Sequence, residues 1–238
     1  SDIVGFSVYN KETQQMDYRP GAILCNLFLA DELNRATSRT QSALLEAMEE
    51  GNVTVDGVTH PVPQPFVVIA TQNPVGASGT QLLPDSQMDR FMVRLSMGYP
   101  KDQDELVMLQ RKQQGNPLEK VRQMTDHGGL IAMQRSVDDV YVKDSILEYI
   151  VRLNHATRTH PMVMQGASPR ASLAVTNMCK AAAWVQQRDY VLPADVRMVY
   201  PYTVAHRLII APEAESAGTG AEDICEAVLQ SVSVPKVK

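Results

Sequence analysis

The run Leu27-Phe28-Leu29-Ala30-Asp31-Glu32 constrains the fold more than any other stretch of this chain. Four apolar residues in succession read as a short strand buried on both faces, the pattern of a parallel sheet covered by helices. Two carboxylates follow at once. Acids placed where such a strand ends sit on the carboxyl edge of the sheet, where open α/β folds bind their ligands. In nucleotide hydrolases the first acid of such a pair holds the shell of a Mg²⁺ ion, and the second polarises the attacking water. The same pattern also marks plain solvated strand ends, so the surrounding residues have to decide.

After the acids, Ser38-Arg39-Thr40-Gln41 has capping-box spacing, and Leu44, Leu45 and Met48 recur at helical intervals up to Glu50, with Gly51 as the stop. Asp56-Gly57 between Val53-Thr54-Val55 and Val58-Thr59-His60 predicts a tight hairpin. Phe66 to Ala70 is a second continuously apolar strand, ending in Thr71-Gln72-Asn73-Pro74. Asn73 is placed to orient the water that Glu32 polarises, or else it is a turn residue before Pro74. Residues 76–80 read as a flexible loop, Leu83-Pro84-Asp85 opens a short helix, and Met92-Val93-Arg94-Leu95 reads as a third strand. Asp89-Arg90 is either a local ion pair or a source of an arginine finger for a neighbouring subunit's γ-phosphate. Upstream of the central strand, alternation of Phe6 and Val8, then of Met16 and Tyr18, predicts a hairpin over residues 5–18.

Past Tyr99-Pro100 the pattern changes to helices alone. One covers residues 102–113. Asp144 caps a second, with Ile146, Leu147, Ile150, Val151 and Leu153 directed inward. Ser168-Pro169 starts a third, which puts Arg170 in its first turn beside the partly positive helix end. Pro193 starts a fourth, interrupted at Pro201 and ending near Ile210, and residues 211–220 read as a solvated loop. The formal charge of -5, without any Lys/Arg run, argues against non-specific nucleic-acid binding. Cys25, Cys179 and Cys225 are odd in number and far apart, the usage of reduced core thiols in a cytoplasmic protein. No stretch is apolar enough over its length to span a membrane.

Taken together, LFLADELNRATSRTQSALLEAMEEGNVTVDG, FVVIATQNP, LLPDSQMDRF and GASPRAS resemble the MoxR family of AAA+ ATPases in order and spacing. DYVLPADVR, AHRLII and the closing SVSVP extend the resemblance over nearly the whole chain. It implies an α/β fold: residues 1–99 as the later part of an AAA+ nucleotide-binding core, a mostly parallel sheet with flanking helices and hairpin inserts, and residues 100–238 as an all-α lid. It implies ATP and Mg²⁺. Residue by residue, it makes Asp31 the Walker B acid on the Mg²⁺ side, acting mostly through water, and Glu32 the catalytic base. Asn73 matches sensor 1, Arg90 the arginine finger and Arg170 sensor 2, the last acting in cis or in trans. The hairpin over 5–18 is similar to the helix-2 insert of this clade, and that over 53–60 to its pre-sensor-1 hairpin. A hexameric ring, and a client protein such as one with a von Willebrand factor A domain, are implied in the same way.

One departure stands out. The P-loop pattern G-x-x-x-x-G-K-[ST] needs a Gly-Lys pair, and the chain contains none. With Ser1-Asp2-Ile3 at its start, the expectation is the later part of a longer polypeptide, inactive without its phosphate loop. The alternative is a non-catalytic partner-binding or assembly module on the same scaffold. Retention of Asp31, Glu32, Asn73, Arg90 and Arg170 argues against that alternative, and the acidic balance against a nucleic-acid translocase.

Overall fold

Turn chemistry organises the first half of the chain. The structure, a computed structural model, describes residues 3–73, 83–113 and 115–236, so the loop expected over 76–80 lies outside the described residues. Two compact units divide at Met92/Val93.

In the first unit, β1 (Gly5–Asn10) and β2 (Gln15–Pro20) pair antiparallel from Gly5↔Pro20 to Asn10↔Gln15, two residues longer than the predicted hairpin. The Asn10 side chain holds the turn by accepting from Glu12 N at 2.9 Å. The chain then enters β3 (Leu27–Ala30) and α1 (Ser38–Glu50). The N-cap is Thr37, whose hydroxyl accepts from Thr40 N, and not Ser38. Gln41 is turned inward instead, donating to Leu33 O at 3.1 Å and Ala36 O at 3.3 Å. Helix α1 stops at Gly51, and β4 (Asn52–Val55) and β5 (Val58–Pro61) form the second hairpin. Asp56 and Gly57, with φ of 50° and 79°, both adopt the left-handed region that a two-residue turn requires. Next come β6 (Val67–Ala70) and the short α2 (Asp85–Met88).

Strands β3 and β6 pair parallel, as their continuous apolar character predicts, in the register Leu27↔Val67 through Ala30↔Ala70. They are not buried on both faces. Phe28, Ala30, Val68 and Ala70 pack on the core around Ile23, Leu33, Leu44 and Val53. Leu27 (62% exposed) and Leu29 (63%) point the other way, with Val67 and Ile69, because successive strand residues face opposite sides. Residues 92–95 do not form the predicted strand. Arg94 N donates to Tyr202 O at 3.0 Å, so this backbone is tied to the second unit and not to a sheet ladder.

The second unit contains α3 (Asp102–Gln113), α4 (His127–Asp138), α5 (Asp144–Arg158), β7 (Val163–Gln165), α6 (Pro169–Val185), α7 (Pro193–Val204), β8 (Ile209–Ile210), α8 (Pro212–Ser216) and α9 (Ala221–Ser231). It is not helices alone: β7 and β8 pair antiparallel. Residues 211–220 are not simply a loop, since α8 buries Ala214. Helix α4, absent from the sequence reading, starts where Asp126 accepts from Gly129 N at 2.8 Å; Gly128 and Gly129 weaken its helical signal. The cap of α5 is Lys143, and Leu147 and Val151 are exposed, while Ile146, Ile150 and Leu153 are buried. Pro201 lies within α7 without breaking it, one turn before its end.

Helices α5, α6, α7 and α9 enclose one core with Tyr149, Val175, Tyr200 and Ile224 fully buried. Asn154 is buried there, donating to Ser172 Oγ at 2.8 Å and accepting from Tyr200 OH at 3.0 Å. Burial pushes the Cys179 and Cys225 thiols up to about 12, with Asp195 and Glu222 adding to it respectively. Cys25 is only partly buried. At pH 8, iodoacetamide should therefore modify Cys25 while the native fold protects Cys179 and Cys225. Peptide mass mapping before and after denaturation checks this; rapid native labelling at Cys179 would contradict the packing described.

Candidate functional site

The parallel register brings the ends of β3 and β6 side by side, so Asp31 and Thr71 emerge as neighbours. Thr71 N donates to Ala30 O at 3.0 Å, and Leu33 N donates to Thr71 O at 2.9 Å. Between those bonds, Glu32 N donates to Thr71 Oγ1 at 2.9 Å, and the Thr71 hydroxyl donates to Asp31 Oδ1. Glu32 sits at φ 49°, ψ 46°, in the left-handed region. A residue with a Cβ takes that conformation at a cost of about 1–2 kcal/mol, and it persists where neighbours over-determine it.

The two acids differ in what they offer. Asp31 has Oδ1 engaged by Thr71 and Oδ2 without a protein partner among the described residues. Glu32 Oε2 lies 3.3 Å from Arg35 Nε, with both side chains nearly half exposed. Such a pair contributes about 0–1 kcal/mol and does not immobilise the carboxylate. Beneath them Asn34, 4% exposed, donates to Asn73 O at 3.3 Å and holds the backbone of Asn73 beside the acids. The edge therefore carries two carboxylates, with the backbone of Asn73 held beside them.

Asp31, Glu32 and Asn73 are brought together. Arg90 belongs to the same unit but is ion-paired with Glu49 of α1, Nη1 to Oε2 at 3.0 Å. Arg170 stands on the second unit, in the first turn of α6, which begins at Pro169 as predicted. That helix start is pinned from below. Ala167 N donates to Thr157 Oγ1 at 2.9 Å, and Arg158 Nε donates to Ala167 O at 2.8 Å. Gly166 passes so close to Arg158 that a Cβ there would lie 2.6 Å from its backbone, which accounts for the glycine in GASPRAS.

Thr71 and Asn34 are structurally central residues that the sequence reading did not single out, and Gln41, read there as part of a capping box, instead donates to Leu33 O and Ala36 O. The signal for Thr71 was a hydroxyl directly after a strand that pairs in register with the acid-bearing strand. Nothing in the sequence marked Asn34, whose burial depends on how the turn after Glu32 folds back.

The donor set also limits the metal chemistry. Among the described residues no cluster of three or more His, Cys, Asp or Glu side chains can cage an ion. A site with few free carboxylate oxygens fits Mg²⁺, which keeps waters and substrate phosphates as most of its ligands. No helix among the described residues is long and apolar enough to cross a membrane.

Comparison with known proteins is consistent with this geometry. Residues 1–93 match the family described as "ATPase family associated with various cellular activities (AAA)", and residues 155–228 match the AAA lid domain. The chain is 46% identical over 235 residues to YeaC of Bacillus subtilis, covering 99% of this chain and 73% of that protein. It is 37% identical over 246 residues to chaperone MoxR1 of Mycobacterium tuberculosis, covering 100% of this chain and 65% of that one. The crystal structure of a Cytophaga hutchinsonii protein assigned as an ATPase superposes with a TM-score of 0.90 at 34% identity, over 99% of this chain and 74% of that one.

Proposed function

Because the chain belongs to the MoxR family of AAA+ ATPases, we propose that the full-length protein hydrolyses ATP at the interfaces of a ring, hexameric in form, and uses the cycle to remodel or mature client proteins in the cytoplasm. The observation that carries the reading is the pair of carboxylates at the carboxyl edge of β3, bracketed by Thr71 with one oxygen of each left accessible. The printed name of the relative MoxR1, a chaperone, supports client handling, for which a von Willebrand factor A domain is our candidate partner.

In this reading Glu32 accepts a proton from the attacking water, and Asn73 orients that water by hydrogen bonding. Asp31 would hold the shell of Mg²⁺ through Oδ2, which has no protein partner among the described residues. When bound, the ion neutralises phosphate charge that would otherwise repel the nucleophile. Arg90 reaches the γ-phosphate of a neighbouring subunit. Leaving Glu49 costs it little, because a part-exposed ion pair is worth only about 0–1 kcal/mol. Arg170 would act as sensor 2 on nucleotide phosphates, of its own subunit or of a neighbour's. The phosphate-cradling loop is not contributed by residues 1–238, which contain no Gly-Lys pair. These residues by themselves should therefore turn over no ATP.

Phosphate release by the full-length protein, measured with Mg²⁺ and with excess EDTA, tests the reading. Turnover that stops on chelation is expected. Hydrolysis that persists in EDTA, or none with any metal, would contradict it.

A further inference from the structure

We propose that Thr71 is a positioning residue of the hydrolytic site, whose hydroxyl sets the backbone of Glu32 and orients the Asp31 carboxylate; this rests on the ATPase reading above. One hydroxyl makes both bonds. It accepts from Glu32 N at 2.9 Å and donates to Asp31 Oδ1. The main chain of Thr71 closes the bracket on either side, through Ala30 O at 3.0 Å and Leu33 N at 2.9 Å.

Glu32, at φ 49° and ψ 46°, lies inside this bracket. Its left-handed backbone is flanked by two ties to Thr71, one to its own N–H and one to the N–H of Leu33, while its carbonyl accepts from Arg35 N at 2.8 Å. Without the hydroxyl, the Glu32 N–H loses its partner and the residue is free to relax toward the right-handed or extended region. The carboxylate would then swing away from its present position. Catalysis is sensitive to displacements of that kind, since about 1 Å of misplacement can cost about 100-fold.

The second bond acts on Asp31. An O–H that accepts from a backbone N–H is polarised and donates more strongly to a carboxylate. No other described side chain donates to Asp31. Thr71 therefore decides which oxygen is tied and which faces outward. Packing does not explain the residue, because Thr71 is exposed. The hydroxyl is what the position uses.

Valine keeps the shape of threonine and removes the hydroxyl, while serine keeps the hydroxyl and removes the methyl. In the full-length protein, Thr71→Val is expected to lower kcat for ATP by roughly 10- to 100-fold. The KM should change less than kcat, since Asp31 keeps its carboxylate while the Glu32 backbone loses its hydrogen bond. Thr71→Ser should recover most of the turnover. Glu32→Gln is measured alongside. Wild-type kcat in Thr71→Val while Glu32→Gln is inactive would overturn the positioning role and leave the ATPase reading standing. Thr71→Ser as impaired as Thr71→Val, or a Thr71→Val defect confined to KM, would overturn it too. Wild-type turnover in Glu32→Gln would overturn the underlying reading and this inference with it.

Discussion

Glu32→Gln in the full-length protein is expected to lower ATP turnover by about 10²–10⁴-fold while nucleotide still binds. The change keeps the side chain's size and one acceptor oxygen, and removes its negative charge and its capacity to take a proton. Glu32 makes no contact that the fold depends on: its side-chain partner is the exposed Arg35, and its structural bonds run through the backbone to Thr71. Stability should therefore stay near wild type, since an exposed pair contributes about 0–1 kcal/mol. Fluorescent-nucleotide binding and phosphate release, measured on one preparation, separate the two effects. Wild-type turnover in this variant would remove Glu32 from the chemistry.

Asp195→Ala is expected to destabilise the helical unit by about 3 kcal/mol, the lower end for removing one partner of a buried ion pair. Asp195 is 2% exposed. Its Oδ2 accepts from Arg188 Nη1 at 2.8 Å and from Leu192 N at 2.8 Å, and its Oδ1 accepts from Arg188 Nη2. Truncation leaves the guanidinium without its carboxylate and the start of α7 without its cap. The lower end applies because Arg188 is partly exposed, and it also donates to Tyr190 O and Gln186 Oε1. The hydrogen bond to Asp195 also raises the Arg188 pKa above its ordinary value, so the guanidinium stays charged. Trp184, the single tryptophan, packs against this core and reports on the unit by fluorescence. A urea midpoint lowered by about 1 M or more is expected, and an unchanged midpoint would mean the pair is dispensable.

Much of this was legible in the sequence for physical reasons. Asp56-Gly57 announced its hairpin because both residues accept positive φ. Ser168-Pro169 announced the start of α6 because proline there loses no helical hydrogen bond. The continuous apolar runs announced parallel strands. The same runs read by themselves as covered on both faces, whereas Leu27 and Leu29 are exposed in residues 1–238, as expected of a sheet without its first strands. Helix α4 was hidden by its glycines, and residues 92–95 look like a strand to any rule based on local propensity. The position of the acids and of Asn73 just past the ends of β3 and β6 could be read from the apolar runs before them. Thr71 and Asn34 could not, because their bonds join segments about forty residues apart.

The most direct test of the account is a structure of the full-length Glu32→Gln protein with ATP and Mg²⁺. It should show the ion beside Asp31 Oδ2, joined mostly through water, with the γ-phosphate facing the substituted position and Asn73. Nucleotide bound away from the ends of β3 and β6 would contradict the central claim.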